Sequence, residues 1–118
     1  MTNTAPNSAH PRAGGDPDGR GASLAFYTYI LANRRNGALY IGHTDDLAHR
    51  VWLHKEKALG GFTARYGIDR LVWYVVHETR EAAFADERRI KTWNRAWKLR
   101  MIEAMNPQWL DRYEALNG

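Results

Sequence analysis

The chain of 118 residues contains no cysteine. Disulfides and thiolate-bound metal sites are therefore excluded, and the composition suits a reducing cytoplasm. Long apolar runs are also missing, because the longest ones, such as residues 71–76, are too short to cross a bilayer, and no apolar leader follows a charged start. We expect a soluble, cytoplasmic protein with no membrane partner.

Acidic residues are in the minority, with 13 Asp and Glu against 17 Lys and Arg, which gives a formal net charge of +4. A basic balance favours polyanions, such as nucleic acid or an anionic lipid surface. The five Trp and six Tyr suit either core packing or base stacking. Composition alone does not separate these two uses of the aromatic residues.

Large apolar residues are scarce in residues 1–23, which hold three of the four prolines and four of the ten glycines. Such a segment cannot bury enough surface to offset the entropy of ordering it. We therefore predict a disordered tail at 1–23 and a single folded domain at 24–118, a length that can bury a modest core.

The folded part reads as an α+β domain. Asn36-Gly37 favours a hairpin turn between two strands. After the second strand the spacing of apolar residues becomes helical, and Thr44-Asp45-Asp46 is a good helix start. Asn94 could begin a new helix and divide the last helical segment. The predicted segments are strands at 25–32, 38–42 and 71–76, a helix at 45–58, a loop at 58–70 and helical structure at 80–105. The order ββαβα(α) predicts a small three-stranded antiparallel sheet flanked by helices.

Three charged or titratable side chains are candidates for a functional site. Arg50 and His54 are four residues apart and share one helix face, although a solvated surface pair would explain these two residues alone. Glu87 falls beside the apolar stripe of its helix, so its carboxylate needs a partner. That partner could be Arg50, in a structural ion pair, or a divalent metal ion, in a catalytic site.

No acidic residue occurs from 88 to 102. In a continuous helix, the cations there would form one stripe that suits a phosphate backbone, and a solubilising face is the alternative. A break at Asn94 would shorten it. The stripe consists of Arg88, Lys91, Arg95 and Lys98. We assign Trp93, Trp97 and Trp109 to the core, and His43 and His49 to the surface.

The motifs "YTYIL" at 27–31 and "LYIG" at 39–42, followed by Arg50, His54 and Glu87, resemble the GIY-YIG nuclease domain. The resemblance extends over residues 24–113 and is greatest to the small stand-alone bacterial proteins of that superfamily, for which "AAFADERRIKTWNRAWK" and "NPQWLDRY" are also typical. It implies a metal-dependent endonuclease that hydrolyses DNA phosphodiester bonds, related in its core to nucleases of excision repair and recombination.

The same resemblance implies the roles of individual residues. Glu87 would hold Mg²⁺ or Mn²⁺, and Arg50 would brace the phosphate. Tyr40 would be the general base, with Tyr29 or His54 assisting. The ordinary pKa of histidine makes His54 the alternative base, with the tyrosines only orienting the substrate. Gly42 would let a substrate backbone approach, although a strand bulge or a turn also explains a glycine there. No counterpart is found for an asparagine that some relatives carry after the glutamate.

Two alternatives remain at this point. A non-catalytic nucleic-acid-binding module could keep the fold and the basic face, and a protein-interaction domain could use that face for an acidic partner. For a nuclease, we expect branched, flapped or nicked DNA as substrate, recognised by shape, with a protein partner that supplies further specificity.

Overall fold

The sheet has three antiparallel strands in the order β2-β1-β3. The computed structural model describes residues 25–117. The strands are β1 (Phe26–Ala32), β2 (Leu39–Thr44) and β3 (Arg70–His77). In the centre of the sheet, Tyr29 of β1 lies opposite Gly42 of β2 and Tyr74 of β3. The predicted α+β fold with a three-stranded antiparallel sheet is confirmed.

The helices are α1 (Leu47–Lys55), α2 (Gly61–Tyr66), α3 (Arg80–Thr92) and α4 (Arg95–Met105), followed by a 3₁₀ turn (Glu114–Asn117). Side-chain caps explain where α3 and α4 begin: Thr79 accepts a hydrogen bond from the backbone N–H of Ala82 at 3.0 Å, and Asn94 accepts one from that of Trp97 at 2.9 Å. The division at Asn94 is therefore confirmed.

The prediction of an uninterrupted loop at 58–70 is wrong, because this segment contains α2. Gly60 and Gly67 flank the helix with positive φ angles of 65° each, so these glycines bound a short helix rather than prevent one. The predicted tail at 1–23 lies outside the described residues. Within 25–117, no helix is long and apolar enough to cross a membrane. The cytoplasmic location stays a prediction.

Successive side chains of the strands point to opposite faces of the sheet. On the face that we call the α1 face, Tyr29 and Leu31 pack with Leu47 and Val51 of α1. The opposite face, the α3 face, buries the main apolar cluster, which is Ile30, Ala32, Ile41, Val72, Trp73, Ile90, Ile102 and Trp109. Each candidate catalytic residue can therefore be assigned to one side of the sheet.

The three tryptophans assigned to the core have different environments. Trp109 is fully buried, and Trp93 is partly buried against the same cluster. The assignment of Trp97 to the core is wrong, because 50% of this residue is exposed. The break at Asn94 resets the helical phase, so a spacing counted from α3 does not predict which side of α4 is buried.

Candidate active site

Four of the predicted catalytic residues meet on the α1 face. The hydroxyl of Tyr29, which is fully buried, lies 3.4 Å from Nε2 of His54. Nδ1 of the same histidine lies 3.0 Å from Oγ1 of Thr63 in α2. The Tyr40 ring packs 5.3 Å from the His54 ring, and Arg50 lies close enough to Tyr29 to oppose the burial-driven rise in its pKa. The unforeseen helix α2 thus completes the surroundings of His54.

The protonation states of this cluster follow from its burial. Burial raises the pKa of Tyr29 and the neighbouring Tyr40 adds to the shift, while Arg50 opposes it. Burial, followed by the charge of Arg50, lowers the pKa of His54 to about 4. At neutral pH the tyrosine is a phenol and the imidazole is neutral. A proton on Nδ1 directed to Thr63 leaves Nε2 to accept from the Tyr29 hydroxyl, which satisfies both rings.

Acidification is expected to destabilise the fold through His54. Its pKa is 6.5 in the unfolded chain and about 4 in the folded one, so the unfolded chain takes up the proton first as the pH falls. Stability that is present above pH 6.5 is therefore lost between about pH 6.5 and pH 4, by an amount on the order of 2 kcal/mol after allowance for solvent screening. Urea unfolding at the two ends of this window measures the loss.

The matched control for this measurement is His54→Gln, whose side chain does not titrate in the window. We expect a smaller acid-induced loss of unfolding free energy in the variant than in the native chain. Equal losses in the two proteins would show that His54 is not the group responsible.

Gly42 fits against the buried tyrosine. It is itself buried, and a Cβ atom added to it would lie 2.6 Å from the Tyr29 hydroxyl oxygen and 2.8 Å from the ring carbon that carries it. Real Cβ atoms do not approach other atoms so closely. Close packing within the sheet therefore accounts for this glycine without any contact to substrate.

We expect Gly42→Ala to lower the free energy of unfolding by roughly 1–3 kcal/mol, because it overpacks a filled site. Tyr29→Phe removes the nearest atom of the tyrosine. The double variant should therefore lose less unfolding free energy than the two single variants lose in sum, by at least about 0.5 kcal/mol. Chemical denaturation of the four proteins measures this. Strict additivity would contradict the proposed contact.

Glu87 lies on the other side of the sheet, in α3, with 11% of its side chain exposed. Its oxygens are both engaged: Oε1 lies 2.5 Å from Nδ1 of His43, and Oε2 lies 2.5 Å from Nζ of Lys91. The buried carboxylate is confirmed, but Arg50 is not its ion-pair partner. The two contacts come from β2 and from the next turn of α3.

The interpretation of His43 as a plain surface residue is wrong. Its ring contacts Glu87 and lies 5.1 Å from the ring of Phe84. Alternation along β2 could have revealed this, because His43 follows Ile41 by two residues and shares its face. Ile41 belongs to the core that α3 covers, so His43 reaches the same helix.

The predicted basic stripe is divided at Asn94. The Arg88 guanidinium lies over the Phe84 ring at 5.6 Å, and Lys91 pairs with Glu87. Arg95 donates hydrogen bonds to the carbonyl oxygens of Asn36 and Gly37, both at 2.8 Å. Lys98 lies one turn further along α4. Arg88 and Lys91 therefore stay beside Glu87, whereas Arg95 stabilises the hairpin turn.

Asn94 and Asn106, which follow Glu87 along the chain, both have structural partners. Asn94 caps α4. Asn106 is buried and donates to the carbonyls of Val72 at 3.1 Å and Leu110 at 2.8 Å. A capping role accounts for Asn94, and these buried hydrogen bonds account for Asn106.

A hard divalent cation fits this carboxylate in one particular mode. Within residues 25–117, no group of three or more His, Cys, Asp or Glu side chains could enclose a metal ion. Mg²⁺ accepts one or two carboxylates and completes its octahedron with water and substrate phosphate. Glu87, held through Oε1 by His43, is suited to that sparse mode, with the cation replacing the half-exposed Lys91 at Oε2, and not to a closed protein cage.

The tyrosine cluster on the α1 face and the Glu87–His43 pair on the α3 face lie on either side of one edge of the sheet. Tyr40 and Gly42 point to the α1 face, and His43 points to the α3 face of the same edge strand, β2. The charge of Glu87 contributes to the raised pKa of Tyr29. The candidate site therefore spans β2, with the tyrosines and Arg50 on one side and the carboxylate on the other.

Comparison with known proteins decides the family. Residues 25–100 match the family model described as the GIY-YIG catalytic domain. The chain belongs to the GIY-YIG family. This span contains both half-motifs, Arg50, His54 and Glu87, so the resemblance noted from the sequence is confirmed. Membership places the chain in a nuclease superfamily whose members generally depend on divalent metal ions.

Relatives with the GIY-YIG pattern include two UPF0213 proteins. The one from Bacillus pumilus is 33% identical over 79 residues, which are 67% of this chain and 80% of that protein. The one from Oceanobacillus iheyensis is 32% identical over 77 residues, 65% of this chain and 88% of that protein. A solution NMR structure of a UPF0213 protein from Bacillus halodurans is 27% identical, covers 69% of this chain and 85% of its own, and has a TM-score of 0.43.

Proposed function

We propose that the chain is a metal-dependent endonuclease that hydrolyses DNA phosphodiester bonds. The observation that carries the proposal is the cluster of Tyr29, Tyr40, Arg50 and His54 on the α1 face, next to the edge strand across which Glu87 is held. Binding of phosphate does not by itself require a carboxylate amid the cations. Phosphoryl transfer, in contrast, needs positioned charge of both signs.

Tyr40 is our candidate for the group that takes the proton from the attacking water. It is partly exposed, whereas His54 has 3% exposure and both its ring nitrogens have partners. A histidine with a pKa of about 4 is also a weak base at pH 7. Tyr29, with its raised pKa, stays protonated. We therefore assign Tyr29 and His54 as positioning residues that fix the Tyr40 ring and Arg50.

Arg50 would bind the non-bridging oxygens of the scissile phosphate. Its guanidinium keeps its charge and presents a fork of donors that matches two oxygens. Glu87 would hold the divalent cation, which when bound supplies Lewis-acid stabilisation of charge on the phosphate. His43 orients that carboxylate, as partners of ligating groups commonly do.

Substrate selection would follow shape more than base sequence. Arg88 and Lys91 lie beside Glu87 and suit phosphate contacts, which position DNA without reading it. We propose branched, flapped or nicked DNA as substrates, and a role in repair or recombination, with a protein partner adding specificity.

The test of this substrate selection is cleavage of matched flap, Holliday-junction, nicked and intact duplexes with Mg²⁺, Mn²⁺ or EDTA. Equal cutting of all four, or cutting in EDTA, would contradict this selection and the metal requirement.

A non-catalytic nucleic-acid-binding module is the second candidate. The observation in its favour is that both Glu87 oxygens already have side-chain nitrogen partners, His43 and Lys91, which is how a purely structural carboxylate would be satisfied. In that case DNA binding would fall linearly with salt on a log–log plot, and no metal would produce cleavage. An affinity that does not change with salt would instead favour an acidic protein partner.

A further inference from the structure

An open groove at the junction of α3 and α4 plays no part in the proposed chemistry. It has a volume of about 340 Å³ and is lined by Trp93, Trp97, Arg100 and Met101. The two indole rings meet edge to face with centroids 5.9 Å apart. Trp93 is anchored against the core, but half of Trp97 is exposed. An exposed indole of this size is suited to a ligand with a flat aromatic face.

The groove is bordered by positive charge. The Arg89 guanidinium lies 4.9 Å over the Trp93 ring and is paired with Asp86. Arg100 lines the groove itself, and within 25–117 it forms neither a hydrogen bond nor an ion pair. No acidic residue occurs between 88 and 102. The complementary ligand therefore carries negative charge as well as an aromatic face.

We propose that this groove binds single-stranded nucleic acid, with one base stacked on Trp97 and the adjacent phosphate neutralised by Arg100. Sequence-independent binding of single strands combines these same two elements, an aromatic platform and a basic path for the backbone. Both properties of the groove favour this ligand over a protein: an apolar peptide would leave Arg100 unpaired, and an acidic peptide would leave the Trp97 face uncovered.

The position of the groove defines a substrate class, an inference that rests on the proposed function. Trp93, whose ring meets that of Trp97, follows Glu87 by six residues, which is about 9 Å along a helix axis. At about 3.4 Å per stacked nucleotide, the Trp93 end of the groove therefore lies a few nucleotides from the carboxylate. A strand held in the groove would place unpaired nucleotides near the proposed cleavage site. The preferred substrate is DNA with an unpaired strand or arm next to that site.

The experiment measures fluorescence anisotropy of a short labelled oligothymidylate in EDTA, so that no strand is cut. We expect Trp97→Ala to weaken binding roughly ten-fold or more, because stacking on an aromatic residue contributes strongly per base. Trp97→Phe should retain an intermediate affinity. Arg100→Gln should lower the slope of log affinity against log salt by about one. The matched control is Trp52→Ala, which removes a 44% exposed tryptophan of α1 and should leave affinity unchanged.

Two outcomes would overturn the inference. One is equal affinity of Trp97→Ala and Trp52→Ala for the oligothymidylate. The other is a concentration-dependent dimer that Trp97→Ala abolishes while DNA affinity is kept, because the groove would then be an interface between copies of the chain. Binding is measured in EDTA, where no strand is cut, so it is independent of the nicking assay. A chain that binds the oligothymidylate through Trp97 but never nicks DNA contradicts the proposed function alone. One that nicks but shows no Trp97 effect contradicts this inference alone.

Discussion

Glu87→Gln is expected to slow metal-dependent nicking by at least about 100-fold, the effect of losing one strong charge-stabilising group at a reacting phosphate. The substitution keeps the shape of the side chain but removes the charge that would hold the cation. Lys91 loses a partner, at little cost, since half of its side chain is exposed. Single-turnover nicking of supercoiled plasmid with Mg²⁺ measures the effect.

The matched control is Glu81→Gln, in the exposed first turn of the same helix, which should nick at close to the native rate. Unfolding by urea should show that both variants are folded under assay conditions, with Glu87→Gln the less stable of the two because its contact with His43 is weakened. If Glu87→Gln nicks as fast as Glu81→Gln, the carboxylate is structural, and its contacts with His43 and Lys91 are its whole function.

Tyr40→Phe is expected to lower the nicking rate by roughly 100- to 10,000-fold, the usual contribution of a general base. The ring and its packing on His54 are kept, so only the hydroxyl is lost. Rates measured across a range of pH should also lose the dependence on a basic group that we expect of the native chain. DNA affinity, measured by anisotropy in EDTA, should stay close to native.

Tyr29→Phe is the comparison that separates chemistry from positioning. It removes a buried hydroxyl and leaves Nε2 of His54 without its partner, which should cost about 1–3 kcal/mol of stability. We expect a smaller fall in nicking rate than for Tyr40→Phe, with the pH dependence retained. The assignment of Tyr40 as base would be contradicted if Tyr40→Phe kept its rate and Tyr29→Phe lost it.

Much of the fold follows from local sequence signals. Asn36-Gly37 sets the hairpin, and Thr79 and Asn94 set the starts of α3 and α4, because turns and caps depend on a few neighbouring residues. The burial of Glu87 also follows from helical periodicity alone. Clustering of Tyr40, Arg50 and His54 on one face was implied by the family resemblance and by the i, i+4 spacing of the last two.

What the sequence did not reveal depends on contacts between distant segments. His43 meets Glu87 across 44 positions of the chain, and Thr63 meets His54 only because α2 forms in a segment rich in glycine. The exposure of Trp97 depends on the angle between two helices, which periodicity within either one does not specify. Tertiary packing decides each of these features.

The most direct test is nicking of supercoiled plasmid by the native chain and by Arg50→Ala, each with Mg²⁺, Mn²⁺ or EDTA. We expect the native chain to nick with either metal and not in EDTA, and Arg50→Ala to lose at least about 100-fold of that activity while its fold is unchanged. A native chain that binds plasmid but never nicks it, or an Arg50→Ala variant that nicks at the native rate, would contradict the assignment of this cluster as a nuclease active site.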